Sequence, residues 1–146
     1  MNEEIKNKKE SLPEQLIEAK SLYNDCKFDE ALLLVDELEA KENLTTSDKV
    51  SCYILKSELF YTQFKTEDAF KYAEQAFLEN QVLNNNLQSI DALLAMAASL
   101  FVLNIDKTRD LIAQIEDLFP TINQHPQKEI KKRVAALNYF QARYYW

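Results

Sequence analysis

Apolar residues recur along this chain at intervals of three and four, and no stretch alternates with period two for long enough to make a strand. The pattern predicts helices nearly throughout. Ser11 and Glu14 form a capping box that opens the first helix, in which Leu12, Leu16, Ala19, Leu22 and Cys26 share a face. A second helix follows Phe28 and buries Ala31, Leu34, Val35 and Leu38. The run Thr45 to Asp48 caps a third, whose inward face reads as Val50, Tyr53, Ile54, Ser57, Phe60, Tyr61 and Phe64. Thr66 is expected to cap a fourth that buries Ala69, Phe70, Ala73, Ala76 and Phe77. A solvated linker, Asn84 to Asn86, leads to a fifth helix so apolar (IDALLAMAASLFVL) that neighbours must cover it on several sides, which makes it the centre of the core. A sixth, carrying Leu111, Ile112, Ile115, Leu118 and Phe119, runs from Asn104 to a stop at Pro120. Pro126 starts a seventh. Asparagines at the junctions (Asn24, Asn43, Asn80, Asn104, Asn123) are expected to end helices, because asparagine tolerates the left-handed backbone best after glycine.

The helices pair, and the pairs repeat. Superimposing CKFDEALLLVDEL on FKTEDAFKYAEQA places Ala31 over Ala69, 38 residues apart, and Thr108 of LNIDKTRDLIAQI follows 39 residues later. A recurring helix pair joined by short connections implies antiparallel neighbours stacked into a solenoid, each unit burying its apolar face against the next.

Composition then removes function classes. Seventeen basic residues against 24 acidic ones leave a net charge of −7, which repels phosphate polyanions and anionic headgroups, so neither nucleic acid nor a membrane surface is an expected partner. The chain has no glycine, and phosphate-binding loops, dinucleotide fingerprints and nucleophile elbows all depend on it. Cys26 and Cys52 stand alone, so both read as small buried residues in a reducing compartment rather than as metal ligands or a disulfide. The single histidine, His125, precedes Pro126 at a helix start and reads as a surface or capping residue. With no nucleophile beside a base and no cofactor motif, the chain is expected not to be an enzyme and to need no metal or cofactor. The charged opening Met1 to Glu10 is unlike a signal peptide, and no apolar run reaches the ~20 residues that cross a bilayer. A flexible tail over 1–10, a single helical domain over 11–146 and a cytoplasmic location are the expectations.

The segment KFDEAL, with an aromatic after a turn and then Asp29, Glu30, Ala31 and Leu32, resembles the second-helix opening of the tetratricopeptide repeat family. Ala19 and Ser57 stand twelve residues before Ala31 and Ala69, where family units carry a small residue at the helix crossing, and Pro120 matches the unit-ending proline. Units are assigned to about 12–43, 46–82 and 85–120, with a final helix over 126–146. The family's glycines are missing, Met96 takes the third small-residue position, and the spacing drifts toward that of two-helix HEAT units, which are the alternative fold. The resemblance implies an all-α, right-handed α-solenoid of antiparallel helix pairs, about seven helices in all.

It also implies a concave groove lined by the first helix of each pair, which holds a peptide segment or helix of a partner protein. Carried over residue by residue, Leu16, Lys20, Tyr23 and Asn24 would face the groove from the first unit, and Ile54, Glu58, Tyr61 and Thr62 from the second. Leu93, Ala97, Leu100 and Phe101 follow from the third, and Arg143 and Trp146 from the last helix. Tyr23, Tyr61 and Trp146 would form an aromatic row, with Lys20, Glu58 and Arg143 beside it. The family's carboxylate clamp is absent, since its positions carry Leu16, Lys20, Ile54 and Glu58. An interaction scaffold is the leading expectation, with a small dedicated chaperone or the N-terminal regulatory arm of a longer protein as alternatives. Two charged clusters read as solvated faces: Lys128, Lys131, Lys132 and Arg133 on the last helix, and Asp29, Glu30, Asp36, Glu37, Glu39 and Glu42 on the second. The aromatic surface over 139–146 is expected to be covered, by a second copy of the chain or by its continuation.

Overall fold

The computed structural model describes residues 14–101 and 103–144, and among them the regular structure is all helical. α1 spans 14–24, α2 Phe28–Glu39, α3 Thr46–Thr62, α4 Thr66–Asn80, α5 Asn86–Leu100, α6 Ile105–Leu118 and α7 Gln127–Tyr144, with a 3-10 turn Phe119–Ile122 after α6. Three helices start where a side chain supplies the cap. Thr45 Oγ1 accepts from the Asp48 N–H at 3.1 Å, Asn85 Oδ1 from Gln88 at 3.2 Å and Asn104 Oδ1 from Lys107 at 3.0 Å. Thr66 is not a cap: it is the first residue of α4, and Lys65 before it makes no side-chain capping bond. α6 itself ends at Leu118, just ahead of Pro120 as expected, and the chain continues as the 3-10 turn that holds Pro120, where a missing N–H costs little.

Each helix from α2 onward packs on its successor, and α3 also meets α5, which in turn meets α7. No comparable contact joins α2 to α4 or α4 to α6 among the described residues. Odd-numbered helices therefore stack on one another while even-numbered ones splay, as in a helical-repeat arrangement. The first two crossings use small residues as the sequence pattern suggests. Ala19 and Ala31 are fully buried together, and the Ser57 hydroxyl donates to the Ala69 carbonyl at 2.6 Å. At the third crossing Met96 and Thr108 are both buried. The largest core cluster centres on α5, with Ile90, Leu93, Met96 and Ala97 packed against Leu111, Ile112 and Ile115 of α6 and Phe140 of α7.

On α3 the apolar stripe expected from the sequence holds at Val50, Tyr53 and Ser57, which are buried, but not as the single inward face. Leu55, Lys56 and Leu59 are buried, whereas Tyr61 is half-exposed and Phe64, in the following turn, is 91% exposed. Helices on both sides of α3 give it more than one inward face, and Lys56 shows the consequence. Its ammonium is bound to Asp36 at 2.9 Å and Glu39 at 2.7 Å, and lies 4.6 Å from the Tyr72 ring centroid. Burial alone would lower its pKa, but the hydrogen bonds it donates to Glu39 and Asp36 outweigh that and hold it above the ordinary lysine value. Asp36 and Glu39 are thus not merely solubilising charges: they tie α2 to α3, and Tyr72 extends the tie to α4.

The turns from α1 to α2 and from α3 to α4 are the same structure repeated. At the first, Cys26 N–H donates to the Tyr23 carbonyl and Lys27 N–H to Leu22; at the second, Phe64 donates to Tyr61 and Lys65 to Phe60. This is the Schellman pattern, and it puts Cys26 and Phe64, 38 residues apart, at φ of 61° each. None of the five asparagines expected to adopt this conformation does so; Asn84, at φ 52°, is the one asparagine that does among the described residues. The position of the turn is fixed by where the helix seams end, so the chain accepts a side chain with β-carbon strain there. Because Phe64 makes little contact, Phe64→Gly should raise stability by about 1 kcal/mol, the left-handed penalty less glycine's larger entropy loss. Urea denaturation reads this directly, and an unchanged or lower midpoint would refute the strain. Cys26 is exposed, contrary to the sequence expectation, because it occupies that turn rather than the helix face; Cys52 is buried, and burial pushes its thiol up to about 11.

Candidate functional site

Stacking the odd-numbered helices leaves a concavity along them, a cavity of about 570 Å³ lined from α1, α3, α5 and α7 alone. Its apolar walls come chiefly from Ile54, Leu94, Ala98, Ala136 and Phe140, with Tyr23 at one side. Tyr23 is held by Phe28, ring centroids 5.6 Å apart. Gln88 closes the polar end. It donates to the Ser47 carbonyl at 3.1 Å and the Ser51 hydroxyl at 3.0 Å, tying α5 to α3.

Six charged side chains line the same space: Lys20, Glu58, Asp91, Glu129, Lys132 and Arg133. Arg133 joins two of the anions. Its guanidinium donates to Asp91 at 2.7 Å across from α7 to α5, and to Glu129 at 2.9 Å within α7. The Arg133 side chain is only 11% exposed, so this part of the basic cluster is an inter-helix tie rather than a solvated face. Burial raises the Asp91 carboxyl above its ordinary value and outweighs the opposing effect of Arg133. Glu58 differs, because no hydrogen bond or ion pair reaches its carboxylate from any described residue. Burial, and then the negative charge of Asp91, push it up to about 7, with Lys20 and Lys132 only partly offsetting them from a distance. Its charge in turn adds to burial in raising the Tyr23 phenol.

Of the residues assigned to a groove from the sequence, Lys20, Tyr23, Asn24, Ile54 and Glu58 line this cavity together. Tyr61 and Thr62 lie past its end on the last turn of α3, where the Thr62 hydroxyl donates to the Leu59 carbonyl at 2.6 Å. Leu100 and Phe101 close α5 away from the cavity. Phe101 packs on Phe140 at 6.0 Å and carries the Arg143 guanidinium over its ring at 5.2 Å, beside a shallow hollow shared with Tyr139 and Ala142. Trp146 falls outside the described residues, so the aromatic row of Tyr23, Tyr61 and Trp146 is not assembled among them. On α5 the lining residues are Gln88, Asp91, Leu94, Ala95 and Ala98, while Leu93 and Ala97 are buried in the core. Leu16 packs in the core cluster formed by α1, α2 and α3.

The sequence missed Asp91, Arg133 and Lys132 as groove residues. Polar residues at Asp91 in an otherwise apolar helix and at Arg133 were the available signal, since a charge placed among core positions needs a partner. Among the described residues, no group of three or more His, Cys, Asp and Glu side chains could hold a metal ion, and no helix is long and apolar enough to cross a membrane. Comparison with family models, with curated proteins and with solved structures found no match to this chain.

Proposed function

We propose that this chain is a tetratricopeptide-like interaction module that holds a segment of a partner protein in the groove formed by α1, α3, α5 and α7. The observation that carries the reading is the lining itself: every residue of the cavity comes from an odd-numbered helix. Apolar walls with charges of both signs along them suit a peptide or helix, whose side chains offer both kinds of surface, better than they suit a polyanion. The chain's net charge of −7 supports the same exclusion. Filling the groove is the test. Ala98→Trp should abolish capture of the native partner while the circular dichroism spectrum stays helical, and Leu78→Ser on the outer face of α4 should leave capture intact. Undiminished binding by folded Ala98→Trp would reject the groove as the site.

A further inference from the structure

The groove's charges are unequally satisfied, and the inequality points to a ligand chemistry. Asp91 and Glu129 share Arg133 at 2.7 and 2.9 Å. Lys20 and Lys132 are exposed to water at the rim. Glu58 is left with its carboxylate facing the cavity and with no donor from any described residue. Glu58 is partly buried, and its carboxylate opens onto the cavity with no donor from the described residues, so a charge drawn partly out of water there is left uncompensated. The groups facing it are Lys20 and Tyr23 from α1, Asp91 from α5, and Lys132 from α7, and neither lysine lies within ion-pair distance of it.

We propose that Glu58 is the recognition point for one basic side chain, a lysine or an arginine, presented by the partner's segment, with its aliphatic stem lying along Ile54, Leu94 and Ala98. The inference rests on the groove being a protein-binding site and adds the residue type it selects. The cation supplies the hydrogen bonds that Glu58 lacks, and the apolar walls exclude water from the pair, where a charge-assisted hydrogen bond is strongest. Lysine and arginine have the same charge, and the planar fork of arginine would favour it if both carboxylate oxygens are reached.

The probe is a phage-displayed library of random twelve-residue peptides, panned against the full 146-residue chain. The expected outcome is a peptide family with Lys or Arg at one fixed position, whose binding is lost in Ala98→Trp. Glu58→Gln, or replacement of that basic residue by glutamine, should each weaken binding by about tenfold, and the two changes together should weaken it no further. The peptide-side replacement uses the unaltered chain, so the result stands even if Glu58→Gln folds poorly. Peptides that need the groove but lack a fixed basic residue and tolerate Glu58→Gln overturn the role of Glu58 while leaving the groove. An absence of any peptide sensitive to Ala98→Trp overturns both.

Discussion

Glu58→Gln should make this protein more stable, by on the order of 2 kcal/mol at pH 8. The reason is the direction of the shift: a carboxyl raised from 4.5 to about 7 in the folded chain favours the protonated form there. Its ionised form therefore penalises the folded state. That penalty is fully present above the folded value and is relieved as the pH falls through about 7 toward 4.5, where the unfolded chain also binds the proton. The full shift would correspond to roughly 3 kcal/mol, and water entering an open groove reduces it. Thermal or urea denaturation at several pH values between about 4 and 8 should show the advantage of the glutamine variant growing with pH and fading only below the unfolded value of 4.5. A variant that is less stable at pH 8, or an advantage independent of pH, would contradict the picture of an unpartnered carboxylate. A residue whose removal stabilises the fold is what a binding site held ready for a ligand looks like, since binding surfaces sacrifice stability for function.

Phe140→Ala should cost about 3 kcal/mol, at the low end for a buried phenylalanine because the groove beside it lets the site relax. Phe140 is buried against Phe101 at 6.0 Å and Tyr139 at 5.5 Å, and it anchors α7, the last wall of the groove, to α5. In a stacked array the loss should be local. Amides of α7 should lose most of their hydrogen-exchange protection, while those of α3 and α4 keep theirs. Uniform loss across all helices would show one cooperative unit instead. The burial of Phe140 also answers part of the expectation that the C-terminal aromatics need an outside cover. Phe140 is covered from within the chain, whereas Tyr139 remains 57% exposed beside Arg143, whose guanidinium lies 5.6 Å from its ring.

Helix positions were legible because each helix that buries one stripe announces it, as α2 and α6 do. The cap at Thr45 was legible because the capping side chain opens the run, whereas Asn104, read as a helix-ending residue, proves to cap the start of α6. The left-handed turns were not legible, because Cys26 and Phe64 occupy them against residue preference, and only the seam geometry places the turn there. The face of α3 was read only in part because helices enclose it on several sides, so that Leu59 turned inward and Tyr61 outward. The groove was half legible. A repeat register carried from the first two units picked out Lys20, Tyr23, Ile54 and Glu58, which line the cavity, but on α5 it fell one residue short, and a step of about 100° on a helix separates Leu93 in the core from Leu94 in the cavity wall. The Asp91–Arg133 pair joins residues 42 apart, and its existence depends on how α7 docks on α5, which no local pattern encodes.

Placing a photo-crosslinking amino acid at Leu94, inside the groove, and separately at the exposed Leu78 of α4 tests the central claim most directly, in cells that contain the native partner. Irradiation should yield one discrete adduct from the Leu94 position, mapping to a single segment of the partner, and none from Leu78. Adducts from Leu78 with none from Leu94, in a chain that still binds, would place the partner on the outer helices and contradict the account.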